Sequence, residues 1–194
     1  MNRIYIVHCW DGTKDDGWYP WLDEKLSESG NQVYRFNMPD TANPKIDEWV
    51  NYLDSQVDNL DDKTYFIGHS IGCQTIMRYL ETKDITRIGG ILFVAPWLEL
   101  LPEAVSDEES FNTAKPWLIK KIDFEKIKKF TNNIHSIFSS DDYFVSLDQK
   151  EEFEKLLDAK TIVVDNKGHI SQDDGVFELD EILDECNKMI NENR

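Results

Sequence analysis

Cysteine is scarce in this 194-residue chain: Cys9, Cys73 and Cys186 are the only three. An odd number at these spacings offers neither a disulfide framework nor a paired C-x-x-C metal site, so free thiols in a reducing, cytoplasmic setting are expected. Long apolar runs are missing as well. The longest, Gly89 to Ala95, is glycine-bearing and far shorter than the roughly 20 residues of a membrane span. Ile4-Tyr5-Ile6-Val7 is too short for a secretory apolar region and has no small-residue cleavage site after it, so no membrane association is expected. Positive charge is in deficit: 21 Lys and Arg stand against 38 Asp and Glu, a net charge of −17. Phosphate backbones would be repelled, which excludes a nucleic-acid partner; the acidic surface serves solubility. No phosphate-binding G-x-x-x-x-G-K-[ST] and no H-E-x-x-H occur. The aspartate pairs at 15–16, 61–62 and 173–174 lie in loop-like stretches and read as solvated turns rather than calcium ligands. No cofactor and no metal are therefore expected. Repeats and low-complexity linkers are also lacking, and residues 1–194 read as a single domain.

What is present is a regular alternation of apolar runs and helical patterns, the mark of a mainly parallel sheet covered on both faces, a three-layer α/β/α sandwich. Six strands are predicted: Arg3–His8, Gln32–Asn37, Thr64–Gly68, Ile88–Ala95, Ile134–Ser139 and Thr161–Val164. Helical spacing joins Trp18, Trp21, Leu22 and Leu26, then Ile46, Trp49, Val50, Leu53 and Val57, with Asn43-Pro44 read as its cap and first turn. Further helices carry Cys73, Ile76, Met77 and Leu80; Phe153, Leu156 and Leu157, with Asp148 and Glu151 spaced as a capping box; and Leu179, Ile182, Leu183, Cys186 and Met189. The stretch 96–130 is longer than a crossover needs. It starts at the carboxyl end of a strand, where ligands bind in such sheets, and reads equally as a short lid or pocket wall and as an irregular helical connection.

One motif carries chemistry. Gly68-His69-Ser70-Ile71-Gly72 fits G-x-S-x-G, follows the apolar run Tyr65-Phe66-Ile67 and leads into a helix. That context describes a nucleophile elbow, which pushes a serine hydroxyl out at the top of a parallel sheet. Serine is a weak nucleophile until a base, usually histidine held by a carboxylate, takes its proton. The elbow thus predicts Asp or Glu, then His, after later strands. Asp141-Asp142 follows Ile134–Ser139, and His169 follows Thr161–Val164 in the turn-rich Asn166-Lys167-Gly168-His169. The residues alone leave Asp141 and Asp142 in competition. For the oxyanion, the backbone N–H of Ile71 is one expected donor and that of Trp10, in the loop His8-Cys9-Trp10-Asp11-Gly12, the other. His8 and His69 are expected to support the site without transferring protons, and His135, inside a strand, to be structural. Trp10, Trp97, Trp117 and Phe144 are candidates for an apolar pocket, with core packing as the equal alternative for the tryptophans.

With that residue order in hand, the chain resembles the α/β-hydrolase superfamily, and within it the small serine hydrolases grouped with retinoblastoma-binding protein nine and YdeN. The likeness runs nearly end to end. It rests on Ile6-Val7-His8, Gly17-Trp18-Tyr19-Pro20-Trp21-Leu22, Asn37-Met38-Pro39, Asp47-Glu48-Trp49, the elbow through Cys73, Gly89-Gly90-Ile91-Leu92, Ser139 to Val145 and Gly168-His169. Cys9 and Ser146 depart from the glycine and proline usual there. The resemblance implies a compact six-stranded α/β-hydrolase fold and a Ser70, Asp142 and His169 triad. The expectation is a serine hydrolase of carboxylesterase type, cleaving small-molecule esters through an acyl-serine. A second expectation, of another class, is a non-catalytic or regulatory member that uses the pocket to bind a ligand or protein. The oligomeric state is not legible in these features.

Overall fold

The computed structural model describes residues 1–84 and 86–192. Six strands, β1 (Arg3–Val7), β2 (Gln32–Arg35), β3 (Thr64–His69), β4 (Gly90–Val94), β5 (Ile134–Ser139) and β6 (Lys160–Val164), form one all-parallel sheet in the order β2-β1-β3-β4-β5-β6. The central strands are apolar on both sides, as a sheet covered by helices on both faces requires. Alternate residues of a strand face opposite ways. Tyr5, Val7, Phe66, Ile91 and Phe93 therefore enter one core with Trp49, Met77 and Phe153. Ile4, Ile6, Ile67, Leu92 and Val94 enter the other with Leu22, Leu26, Ile182 and Cys186. The first face is covered by α2 (Ile46–Gln56), α3 (Ile71–Glu81), α5 (Phe124–Lys128) and α6 (Gln149–Leu157), the second by α1 (Tyr19–Glu28) and α7 (Asp180–Glu192). The fold is the expected three-layer α/β/α sandwich.

Two local expectations fail. Asp148 precedes α6 in a helical conformation and makes no capping bond; the capping box lies instead at Asp107 and Ser110, opening α4 (Glu108–Ile119). Asn43-Pro44 does not start α2, whose flanking residue is Lys45 in extended conformation. The Pro44 carbonyl is instead used by the Trp117 indole, 3.0 Å away, so the loop before α2 is held by tertiary contact.

Strand order places the site. The chain leaves β1 toward the edge strand β2, then returns across β1 to β3. The loops after β1 and β3 thus run to opposite sides and open a crevice at their carboxyl ends, the usual ligand position in such sheets.

Candidate active site

Ser70 sits between β3 and α3 with φ +54° and ψ −119°. A non-glycine residue there is strained, and the strain is borne by the serine. Neither elbow glycine has positive φ; both are needed for space. A Cβ on Gly68 would lie 2.7 Å from the Cys73 nitrogen, and one on Gly72 would run into the Val7 carbonyl and lie 2.8 Å from that of His8. Gly72 therefore lets the first turn of α3 close on the end of β1, which sets the gap between Ser70 and the Cys9-Trp10 loop. Gly72→Ala is expected to cost about 1–3 kcal/mol, since the backbone of Val7 and His8 leaves the methyl no room. That corresponds to a melting temperature roughly 2–12 °C lower in a chain of this size, read by thermal denaturation.

Three side chains from three loops meet at this elbow. His169 Nε2 lies 2.8 Å from Ser70 Oγ, and His169 Nδ1 lies 2.8 Å from Asp142 Oδ2. Asp142 Oδ1 accepts the backbone N–H groups of Phe144 at 2.9 Å and Val145 at 3.1 Å. Both Asp142 and His169 side chains are nearly buried, at 4% and 8% exposure. Asp141 does different work. Its carboxylate accepts from Ser139 Oγ at 2.8 Å and the Gly168 N–H at 2.9 Å, latching the His169 loop onto β5. The Ser139 hydroxyl and then the Gly168 amide hold its carboxyl below the usual carboxylate range.

Asp174, read from sequence as a solvated turn residue, is a second latch. It accepts from His169 N–H, Ser171 N–H and the Ser171 hydroxyl, and its other oxygen accepts from Tyr143. Gly168 has φ +55°, and a Cβ there would collide with the Asp174 carboxylate. Gln149 was also missed: buried at the start of α6, it accepts from Leu98 and Glu99 N–H and donates to the Glu99 carbonyl, holding the loop after β4. No local pattern marks these residues, because their partners lie in distant loops.

A cleft of about 370 Å³ opens at Ser70, walled by Trp10, Trp97, Leu100, Phe144 and Tyr143 on its apolar side and reached by His169 and Asp173. Trp97 does more than line it: its indole N–H donates to Ser70 Oγ at 3.2 Å. Phase of the hydroxyl is thereby set, since Oγ accepts from Trp97 and its proton is left for His169. Phe144 packs edge-on to the His169 ring at 5.2 Å. Trp117, expected in the pocket or equally in the core, is not among the walls of the cleft. It is 1% exposed, packs edge-on to Trp49 and lies in the core, because the side chain of a residue late in α4 turns inward to bond Pro44. Stretch 96–130 contributes Trp97, Leu100, Ala104 and Ser110 to the cleft, while Ala114 and Trp117 of α4 are buried. His135 pairs with Glu185 at 2.6 Å, both buried, remote from the elbow. Among the described residues no three His, Cys, Asp or Glu side chains gather as a metal set, and no helix is long and apolar enough to cross a membrane.

The model of the serine hydrolase family matches residues 4–187. The chain belongs to that family. It is 28% identical over 184 residues to YdeN of Bacillus subtilis (strain 168), covering 94% of this chain and 93% of that protein. It is 32% identical over 154 residues to the serine hydrolase RBBP9 of Rattus norvegicus, covering 79% and 77%. The crystal structure of the B. subtilis ydeN gene product superposes with TM-score 0.89 at 26% identity, covering 98% of this chain and all of that one. Est1E of Butyrivibrio proteoclasticus, solved with ferulic acid bound, gives TM-score 0.73 at 17% identity, covering 100% and 89%, and shares the α/β-hydrolase fold.

Proposed function

We propose that this serine hydrolase cleaves small carboxylic esters through an acyl-serine intermediate, without a cofactor. The observation that carries the reading is the line Ser70 Oγ, His169, Asp142, with two 2.8 Å steps opening on an apolar cleft. Ser70 attacks the ester carbonyl while His169 Nε2 takes its proton. Asp142 keeps Nδ1 protonated and offsets the charge of the imidazolium that forms. The negative oxygen of the tetrahedral intermediate is met by the N–H groups of Ile71 and Trp10. Ile71 is the first residue of α3, where N–H groups lack intrahelical acceptors. His169 then gives its proton to the departing alkoxide. Water, activated by the same imidazole, attacks the acyl-serine and releases the acid.

A cleft of about 370 Å³ is near the lower end of small-molecule sites and favours short acyl chains. Cys9, Cys73 and Cys186 are unpaired, which fits a reducing cytoplasmic setting. A panel of p-nitrophenyl esters from acetate to decanoate tests the reading. The expected kcat/KM is highest at two to four acyl carbons (about threefold or more above decanoate). Absence of turnover across the panel, together with no fluorophosphonate labelling of the native protein, would leave a binding role instead.

A further inference from the structure

The loop that follows β1 is held by hydrogen bonds whose direction the chemistry of the partners dictates. His8 is 1% exposed. Its Nδ1 lies 2.7 Å from the Cys9 carbonyl oxygen, and the Met38 N–H reaches its Nε2 at 2.9 Å. A carbonyl only accepts, so Nδ1 carries a proton; a backbone N–H only donates, so Nε2 carries none. The ring is thus neutral and confined to one tautomer. Burial, which lowers its proton affinity, acts the same way.

The Cys9 carbonyl and the Trp10 N–H belong to one trans, planar peptide and point in opposite directions. Holding the carbonyl against His8 therefore turns the Trp10 N–H away from His8. Gly12 N–H adds a longer bond, 3.3 Å, to the same carbonyl. The preceding peptide is tied independently. Cys9 N–H donates to the Tyr19 oxygen at 3.2 Å, the Tyr19 hydroxyl to His69 Nδ1 at 2.6 Å, and His69 Nε2–H to the His169 carbonyl at 2.9 Å. The order of protons is again forced, because the His169 carbonyl only accepts. His69, whose proton affinity burial and then the neighbouring His169 push down to about 3, keeps its Nδ1 free to accept. Cys9 is thereby gripped on both its peptides, and the grip on the second one is His8. Trp10 and Ser70 line the cleft.

We propose that His8 is a positioning residue of the ester-cleaving reaction: by donating Nδ1–H to the Cys9 carbonyl, it aims the Trp10 N–H at the oxyanion formed on the substrate of Ser70. The inference rests on the reading of Ser70 as nucleophile. His8 touches neither substrate nor the reacting atoms; it acts through one peptide plane. Without it that plane is free to rotate, and the oxyanion loses a preorganised donor. Loss of such a donor outright costs about 10²–10³ in kcat in a well-studied protease; a misdirected one is expected to cost about 10–100-fold.

Two isosteric substitutions separate aiming from support. In His8→Asn the amide nitrogen falls near Nδ1 and keeps the donor to Cys9. In His8→Gln the amide reaches the Nε2 position and keeps only the acceptor for Met38. His8→Gln is expected to lower kcat about 10–100-fold with KM changed less than about twofold. It is also expected to weaken, by a similar factor, a trifluoromethyl ketone that forms a tetrahedral oxyanion on serine. His8→Asn is expected to recover most of both losses. Equal losses in the two variants, or an effect confined to KM, would overturn the inference. Should neither variant fold, ¹⁵N NMR of histidine-labelled native protein reads the ring directly: Nδ1 protonated and Nε2 bare is expected, and the opposite tautomer overturns it. A native protein that fluorophosphonate fails to label at Ser70 defeats the nucleophile reading, and this inference with it. A labelled native protein with a fully active His8→Gln variant defeats this inference alone.

Discussion

Ser70→Ala is expected to lower ester turnover by about 10⁴–10⁶-fold and to abolish labelling by a fluorophosphonate. The magnitude follows from the loss of the covalent route: with no oxygen at the elbow, only the oxyanion donors and substrate binding remain, and these give a small residue of catalysis. The fold should survive. Ser70 makes no capping bond to α3, and alanine meets the same steric penalty as serine at φ +54°. Loss of the oxygen that the buried Trp97 indole N–H donates to costs about 1–2 kcal/mol, so the melting temperature is expected to fall by about 2–8 °C with the fold retained. Intact-mass analysis after labelling, beside a thermal melt, checks both halves. Stoichiometric labelling of the alanine variant would remove Ser70 from its role.

Asp142→Asn is expected to lower kcat by about 10³–10⁴-fold, against less than about tenfold for Asp141→Asn. The contrast comes from how each carboxylate is held. Asp142 Oδ1 is committed to the N–H groups of Phe144 and Val145, so an asparagine must keep its oxygen there and turn its NH₂ toward His169 Nδ1. Two donors would then face each other unless the imidazole moves its proton to Nε2, where it can no longer accept from Ser70. In a well-studied serine protease the same exchange costs about 10⁴ by the same change of tautomer. Asp141 accepts both of its bonds on Oδ1, and asparagine retains that oxygen. Its replacement should loosen the His169 loop without depriving the imidazole of its partner. Steady-state kinetics of the two variants checks the order, and a reversed order would move the orienting role to Asp141.

Sequence patterning alone foresaw the layer architecture and the six strands, because a both-faced parallel sheet leaves its apolar runs in local sequence. The strand ends were less legible: β2 stops at Arg35 and β4 begins at Gly90, since pairing with neighbours decides where a ladder ends. The capping box expected at Asp148 and the proline start expected for α2 were short motifs whose spacing was right and whose backbone conformation was not. Trp97 and Trp117 show the same limit. Both are 1% exposed, and nothing in their flanking residues says that one indole reaches Ser70 and the other Pro44.

By itself, then, the chain's order of residues determined that an elbow serine, an aspartate pair and a histidine would stand at the carboxyl ends of three different strands, because those signals are local: a turn motif, an apolar run, a loop after it. Only the tertiary structure decided which aspartate faces the imidazole, which tryptophan faces the cleft, and that His8, Tyr19 and His69 grip the loop beside Ser70. Those assignments depend on hydrogen bonds between residues as far as 100 positions apart. Bonds of that kind have direction and a reach of about 3 Å, and no periodicity along the chain encodes them.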